Sequence, residues 1–184
     1  MDVFKIGLII LAAAAAACAG AVVLKVSDSE VFYYGQVAFF SPNGKLPYGE
    51  TEAAVRRQVL ENGARIVETV TQPGRSPGMR PVEIVTELKR RGRTLAYDAS
   101  DAGATFTGTL TFKDAELKAW TYDIKLKAGG TIKGTGELTP AGIKTAKQLA
   151  GTGRAMLIRE DLGVINAAEY KRRVAELLPA RGAE

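Results

Sequence analysis

The chain has 184 residues, of which 46% are hydrophobic and 24% are charged, and its formal net charge is +5. This composition excludes a disordered or collagen-like chain and fits one ordinary domain with a terminal extension. There is no histidine, and Cys18 is the one cysteine, which excludes imidazole-based triads, zinc sites with histidine or cysteine ligands, and thiol nucleophiles in the body. We therefore expect a non-enzymatic protein with no metal site and no cofactor.

The N-terminal stretch IGLIILAAAAAACAGAVVL, residues 6–24, is uncharged and lies between Lys5 and Lys25. An export signal consists of a weakly positive start, an apolar stretch and small residues before the cleavage site. The tract AAAC, Ala15 to Cys18, resembles the lipobox of bacterial lipoproteins. This resemblance implies cleavage before Cys18 and a diacylglycerol on that cysteine, with the membrane as a partner.

The same stretch also fits a helix that stays in the membrane. Its 19 residues would rise about 28 Å as a helix, close to the thickness of the hydrocarbon core. The chain continues with AGAVVL after Cys18, whereas lipoproteins tend to continue with a polar tether. Both interpretations, of which we favour the lipoprotein, predict a signal or anchor over 1–25 and one exported, tethered domain over 26–184 in the cell envelope.

The start of the body predicts a strand followed by a short helix. VFYYGQVAFF, residues 31–40, is rich in aromatic and β-branched residues and predicts the first strand. Residues 51–62 predict a helix, since Val55 and Val59 share one helical face and Gly63 supplies a stop.

The middle of the chain predicts a meander of strands. Residues 64–72 predict a strand, and 72–81, with three prolines and two glycines, predict a loop. From residue 82 apolar and polar residues alternate with a period of two, which is typical of half-buried strands. The segments are 82–89, 93–99, 106–112, 120–126, 132–138, 143–149 and 154–160.

One hairpin of this meander allows a register prediction. Opposed residues in an antiparallel pair point to the same face of the sheet. A loop of three residues, Ala128 to Gly130, places Leu126 opposite Ile132 and extends to Tyr122 opposite Gly136, so apolar residues and glycines stay on one face. Glycine in the loop suits the bulged turn that this length requires.

The chain ends in a predicted helix that begins after Asn166. Glu169 completes a capping box with Asn166, and Ile165 and Tyr170 form a hydrophobic staple around it. We expect the apolar stripe of this helix to pack on the sheet. The stripe consists of Tyr170, Val174, Leu177 and Leu178.

These elements predict an α+β, mainly β fold. We expect an antiparallel β-meander, closed as a barrel or open as a half-barrel, with one short helix after the first strand and a C-terminal helix. This order of elements resembles that of lipocalin-like barrels and helix-grip domains, both of which enclose apolar ligands. The resemblance implies an interior that binds an apolar or amphipathic small molecule.

Glycines and aromatic residues share one face of the meander and are candidates to line a ligand. A glycine that points inward leaves room for a ligand beside an aromatic ring; alternatively, the ring covers the glycine and leaves none. The candidates are Phe106, Gly108, Trp120, Tyr122, Ile124, Gly134 and Gly136.

The predicted hairpin turn KRRGR concentrates positive charge and is a candidate contact for anionic lipid. A tethered domain gains about 1 kcal/mol for each basic residue held near an anionic surface. The alternative is a solvated turn that discourages edge association. Nucleic acid is not an expected partner, because export is predicted and no aromatic residue lies among the cations. The cations are Lys89, Arg90, Arg91 and Arg93.

Two functions follow from these patterns. The first is a membrane-tethered, non-enzymatic envelope protein that binds an apolar or amphipathic small molecule. The alternative is a structural or assembly protein of the envelope, which would contact another protein through an exposed apolar patch along 31–40.

Overall fold

A computed structural model describes residues 22–73, 81–151 and 155–178, and within these residues ten antiparallel strands form a closed barrel. Each strand pairs with the next one in sequence, and the last pairs with the first, so the predicted mainly β meander is confirmed as a barrel. The strands are β1 (Ser29–Phe40), β2 (Pro47–Leu60), β3 (Arg65–Gln72), β4 (Val82–Arg90), β5 (Ala96–Asp101), β6 (Phe106–Phe112), β7 (Ala119–Leu126), β8 (Thr131–Thr139), β9 (Gly142–Ala150) and β10 (Met156–Ile165). Helix α1 (Ala167–Leu177) follows the barrel.

Closure of the barrel is made by β1 and β10, which pair from Phe32 opposite Ile165 to Phe40 opposite Leu157. Closure pairs the backbone groups that would otherwise remain open at the edges of a sheet. Barrel diameter grows with strand number, and about eight strands give an interior that side chains just fill. Ten strands therefore enclose a wider lumen.

The predicted helix over 51–62 is wrong, because these residues belong to β2 and to a single 3-10 turn at Glu61–Gly63. Val55 lies opposite Tyr33 of β1, and Val59 lies opposite Ser29. A spacing of four residues satisfies a helical face and a strand face equally. The segment pairs along its length with β1, and this pairing makes it a strand rather than a helix.

The predicted hairpin has a loop of the right length but begins one residue earlier. The Leu126 amide donates to the Gly130 carbonyl at 3.0 Å, so Lys127 to Gly129 form the loop. Trp120 consequently lies opposite Gly136, rather than Tyr122 opposite Gly136 as predicted. Both registers keep the same residues on the inner face, so alternation could not distinguish them.

One end of the barrel, which we call the closed end, is crossed by residues 22–28. Leu24 and Val26 of this segment pack on the core. A Cβ atom on Gly63 would lie only 2.4 Å from Val26 Cγ2, so the segment fits tightly over the 3-10 turn. The Tyr97 hydroxyl donates to the Gly63 carbonyl and ties this turn to β5. The deep core beneath consists of Ile66, Leu88, Tyr97, Leu110, Phe112, Leu117 and Trp120.

Helix α1 lies outside the barrel against β1, β2 and β3, as its apolar stripe predicts. The Tyr170 ring is 4.8 Å from the Phe32 ring, and the Arg173 guanidinium lies over the Tyr34 ring at 4.4 Å. Asn166 Oδ1 accepts a hydrogen bond from the Glu169 amide at 2.9 Å, which confirms the predicted cap. No helix in the described part of the chain is long and apolar enough to span a membrane.

Candidate functional site

In the middle of the described strands, four charged side chains lie on the inner face of the barrel, and we call them the inner charge layer. Each one falls at a step of two residues from buried neighbours on its own strand, as Lys147 does after Thr145 and Ile143. Alternate residues of a strand share a face, so these charged side chains point into the lumen. The inner charge layer consists of Arg57 on β2, Glu68 on β3, Lys147 on β9 and Glu160 on β10.

The Lys147 ammonium forms a hydrogen-bonded ion pair with Glu160. Its Nζ lies 2.8 Å from each carboxylate oxygen, and Thr145 Oγ1 donates to the same carboxylate at 2.7 Å. Burial by itself would lower the pKa of Lys147, but Glu160 outweighs it and the pKa is raised. Burial would likewise raise the pKa of Glu160, and Lys147 outweighs it, so that pKa is lowered. Both groups are therefore charged at neutral pH.

A second pair, Arg57 with Glu68, lies against the deep aromatic residues. Arg57 Nη1 is 3.4 Å from Glu68 Oε1, and Arg57 is only 4% exposed. The guanidinium lies 5.0 Å from the centre of the Trp120 ring. Burial raises the pKa of Tyr122 to about 12, and the Lys147 ammonium lies 5.0 Å from the centre of the Tyr122 ring.

Two buried nitrogen donors at this point have no hydrogen-bond partner among the described residues. They are Arg57 Nη1, which is near Glu68 without hydrogen-bond geometry, and Trp120 Nε1. The Trp120 ring lies 6.2 Å from the Tyr122 ring, and the indole N–H has no hydrogen-bond partner of good geometry among the described residues. An unsatisfied buried donor costs about 1–3 kcal/mol, and such groups are normally met by water or a ligand.

The end of the barrel opposite the closed end, where β1 ends and β2 begins, we call the open end, and the inner charge layer keeps some accessible surface. The side chains of Lys147, Glu160 and Glu68 retain 20%, 17% and 21% of their accessible surface, although they point inward from the middle of strands. Above them, half-buried apolar side chains line the inner face toward the open end, and we call this ring the apolar mouth. It consists of Phe39, Val70, Ile84, Phe106, Leu126, Ile132 and Ile158.

The predicted ligand-lining residues lie on the inner face of the barrel, and its glycines are tightly packed. A Cβ atom on Gly136 would lie 2.3 Å from Trp120 Cε2, so the indole itself covers this glycine. At Gly134 a Cβ atom would lie 2.1 Å from the Ala146 carbonyl oxygen, and at Gly108 it would lie 2.5 Å from that of Asp123. These glycines permit close contact between strands.

The other predicted lining residues are at different depths. Phe106 belongs to the apolar mouth, and Tyr122 lies beside the inner charge layer. Ile124 is 9% exposed and Trp120 is 2% exposed, so both belong to the core. Phe106 therefore keeps more accessible surface than Trp120.

The basic turn lies at the closed end, and most of its cations have partners within the domain. Lys89 pairs with Glu87 at 3.0 Å, and Arg91 pairs with Asp98. Arg90 donates to the carbonyls of Thr94 and Val22.

Arg93 is different, since its side chain forms no ion pair with a described residue; its carbonyl accepts from the Val22 amide. Cys18, the predicted site of lipid attachment, lies outside the described residues.

No cluster of three or more carboxylate or cysteine side chains suited to a metal ion occurs in the described ranges. No protein-family model matches the chain, and no curated protein matches it. The candidate function rests on the geometry of the lumen.

Sequence reasoning missed the whole inner charge layer. The available signal was a charged residue at a strand position where the alternation predicts an apolar one. Glu160 lies two residues from both Ile158 and Leu162, and Lys147 lies two residues from Leu149. A charge at such a position points into the core and needs a partner there.

Proposed function

We propose that this protein is a non-enzymatic binding protein that holds an apolar or amphipathic small molecule in the lumen of its barrel. The observation that carries the proposal is that Lys147 and Glu160, on the inner face in the middle of their strands, keep 20% and 17% of their side-chain surface accessible, with apolar side chains of the mouth next to them on the same face. A molecule with an apolar chain and a polar end matches this arrangement, in which apolar side chains lie above polar ones on the inner face. Its chain would gain about 25 cal/mol for each Å² of apolar surface removed from water.

We also propose that the domain is tethered to a membrane of the cell envelope by its closed end. Cys18 precedes Val22 by four residues, so a lipid on Cys18 would lie within about 14 Å of Val22. Val22 is bonded to Arg90 and Arg93 at the closed end. Such a tether directs Arg93 to the lipid headgroups and the apolar mouth away from the membrane.

Intrinsic fluorescence tests lumen binding, because Trp120 is the one tryptophan of the chain. The full chain in lipid nanodiscs is titrated with dodecane, dodecanol, dodecanamide and dodecanoate while Trp120 emission is followed. We expect a saturable change with at least one of these molecules. A lack of saturable response to all four overturns the proposal.

A matched pair of variants on β4 locates the binding. Ile84 and Val85 are adjacent and 39% and 38% exposed, but Ile84 faces the lumen and Val85 faces outward. We expect Ile84→Lys to weaken binding at least fivefold, because a charge in the mouth must be desolvated. Val85→Lys should bind as the wild type does. Equal binding by the two variants would place the ligand elsewhere and refute a lumen site.

An assembly protein of the envelope is the second candidate. The predicted patch on β1 is covered by α1 at Phe32 and Tyr34, but Leu46 and Tyr48 beside the β1–β2 turn are 64% and 58% exposed. Exposed apolar side chains at one site favour contact with another protein. Sedimentation of a Leu46→Ser, Tyr48→Ser variant tests this role, which predicts a smaller assembly than the wild type forms.

A further inference from the structure

Two buried side chains at the inner charge layer carry donors that require an acceptor. Arg57 and Trp120 are 4% and 2% exposed, and each keeps a nitrogen without a partner among the described residues. The guanidinium carbon is 5.0 Å from the centre of the indole, so one small polar group can reach both side chains. Tyr122 adds a hydroxyl beside them, since its ring lies 6.2 Å from that of Trp120.

The charges of the inner charge layer already balance. Arg57 is opposed by Glu68, and Lys147 by Glu160. A carboxylate placed at the two donors would bring a third negative charge beside the two glutamates, and an ammonium would bring a third positive charge beside the two cations. Either would be removed from water without a counter-ion, which is strongly unfavourable in a protein interior.

We infer that the lumen selects a ligand whose polar end is an uncharged hydrogen-bond acceptor, such as an amide or a hydroxyl, held by Arg57 Nη1 and Trp120 Nε1. This inference rests on the proposed lumen function and specifies the chemical class of ligand. A group of this kind satisfies both donors and leaves the inner charge layer neutral. Its chain extends past Tyr122 toward the apolar mouth.

Dodecanamide and dodecanoate test the inference, because their head groups have nearly the same size and differ in charge. The full chain in nanodiscs is titrated with each at neutral pH, and Trp120 emission is followed. Protein-free nanodiscs of the same lipid, titrated in parallel by calorimetry, measure the share of each molecule that enters the lipid. We expect the amide to bind at least tenfold more tightly than the carboxylate. Equal or tighter binding of dodecanoate overturns the inference while the lumen function stands.

If none of the four twelve-carbon molecules binds, dodecane included, the lumen function itself is refuted. The two failures are therefore distinguishable in one series of titrations.

Trp120→Phe tests the role of the indole nitrogen, since it keeps an aromatic ring and removes the N–H. Binding is then measured by calorimetry, and the thermal unfolding of the variant verifies that it is folded. We expect amide affinity to fall about fivefold while dodecane affinity is unchanged. An equal loss for both molecules would indicate a general loss of packing, and an unchanged amide affinity would show that the indole does not hold the head group; either result refutes the assignment of Trp120.

Discussion

The Lys147 ammonium lies 2.8 Å from both carboxylate oxygens of Glu160 inside the barrel, although the two residues are not opposite each other in the sheet. Lys147 is in register with Ile158, and Glu160 with Thr145, so the ion pair is a diagonal contact between β9 and β10. The Lys147 ammonium also lies over the Tyr122 ring, 5.0 Å from its centre. The pair thereby links three strands at the inner charge layer.

Removal of the Lys147 charge should be costly. We expect Lys147→Met to lower the free energy of unfolding by about 3 kcal/mol, because it leaves Glu160 in the lumen without a counter-ion. Lys144→Met is the matched control, since Lys144 pairs with Asp161 on the outer face of the same two strands and both are more than 60% exposed. That exposed pair should contribute less than about 1 kcal/mol. Equal losses in urea denaturation would show that the inner pair contributes no more stability than the exposed pair.

The free energy of unfolding should depend on pH through the titration of Glu160. Its pKa is lowered from the ordinary 4.5 in the folded state, since Lys147 outweighs the effect of burial. A lowered folded pKa gives stability that is present above the unfolded pKa and is lost as pH falls through the folded pKa.

We therefore expect the unfolding free energy to decrease steadily below about pH 4.5, and to decrease less steeply in Glu160→Gln. Denaturant titrations over a pH series measure both slopes. Parallel slopes for the two proteins would mean that Glu160 does not titrate differently in the folded and unfolded states.

The contact between Trp120 and Gly136 should tolerate no added carbon. A Cβ atom there would lie 2.3 Å from Cε2 of the indole, so we expect Gly136→Ala to destabilise the protein by about 2 kcal/mol. Thr135→Ala, on the exposed face of the same strand, should cost less than about 0.5 kcal/mol. The double variant Trp120→Phe, Gly136→Ala should lose less than the sum of the single losses, because the smaller ring admits the methyl group. Strict additivity in unfolding measurements would contradict the packing.

The N-terminal cap of α1 should contribute to the stability of the protein through the Asn166 side chain. We expect Asn166→Ala to cost about 1 kcal/mol, because the Glu169 amide loses its acceptor. Asn166→Asp keeps an acceptor oxygen and adds a favourable charge at the helix start, so it should retain or raise the stability. Thermal unfolding of the three proteins makes the comparison. Equal loss in the alanine and aspartate variants would show that the side-chain oxygen is not the cap.

Local patterns predicted much of this fold. The alternation in 120–126 and 132–138 placed both strands with the correct inner face, and the pattern of Asn166 and Glu169 located the start of α1. The pattern failed at 51–62, where Val55 and Val59 fit a helix and a strand alike, and only pairing with β1 distinguishes them. It also left the register of the β7–β8 hairpin two residues out, since a shift of two preserves the face.

The sequence by itself determined which residues of each strand share a face, where the last helix begins, and that catalysis by histidine or by a thiol in the body is excluded. The tertiary structure decided which charged residues meet. Closure of β1 on β10 brings Arg57 and Glu68 of the first strands to the same lumen as Lys147 and Glu160 of the last. Alternation is a local property with a period of two, whereas closure is a long-range pairing. The composition of the lumen therefore depends on contacts between segments about a hundred residues apart, which no local pattern encodes.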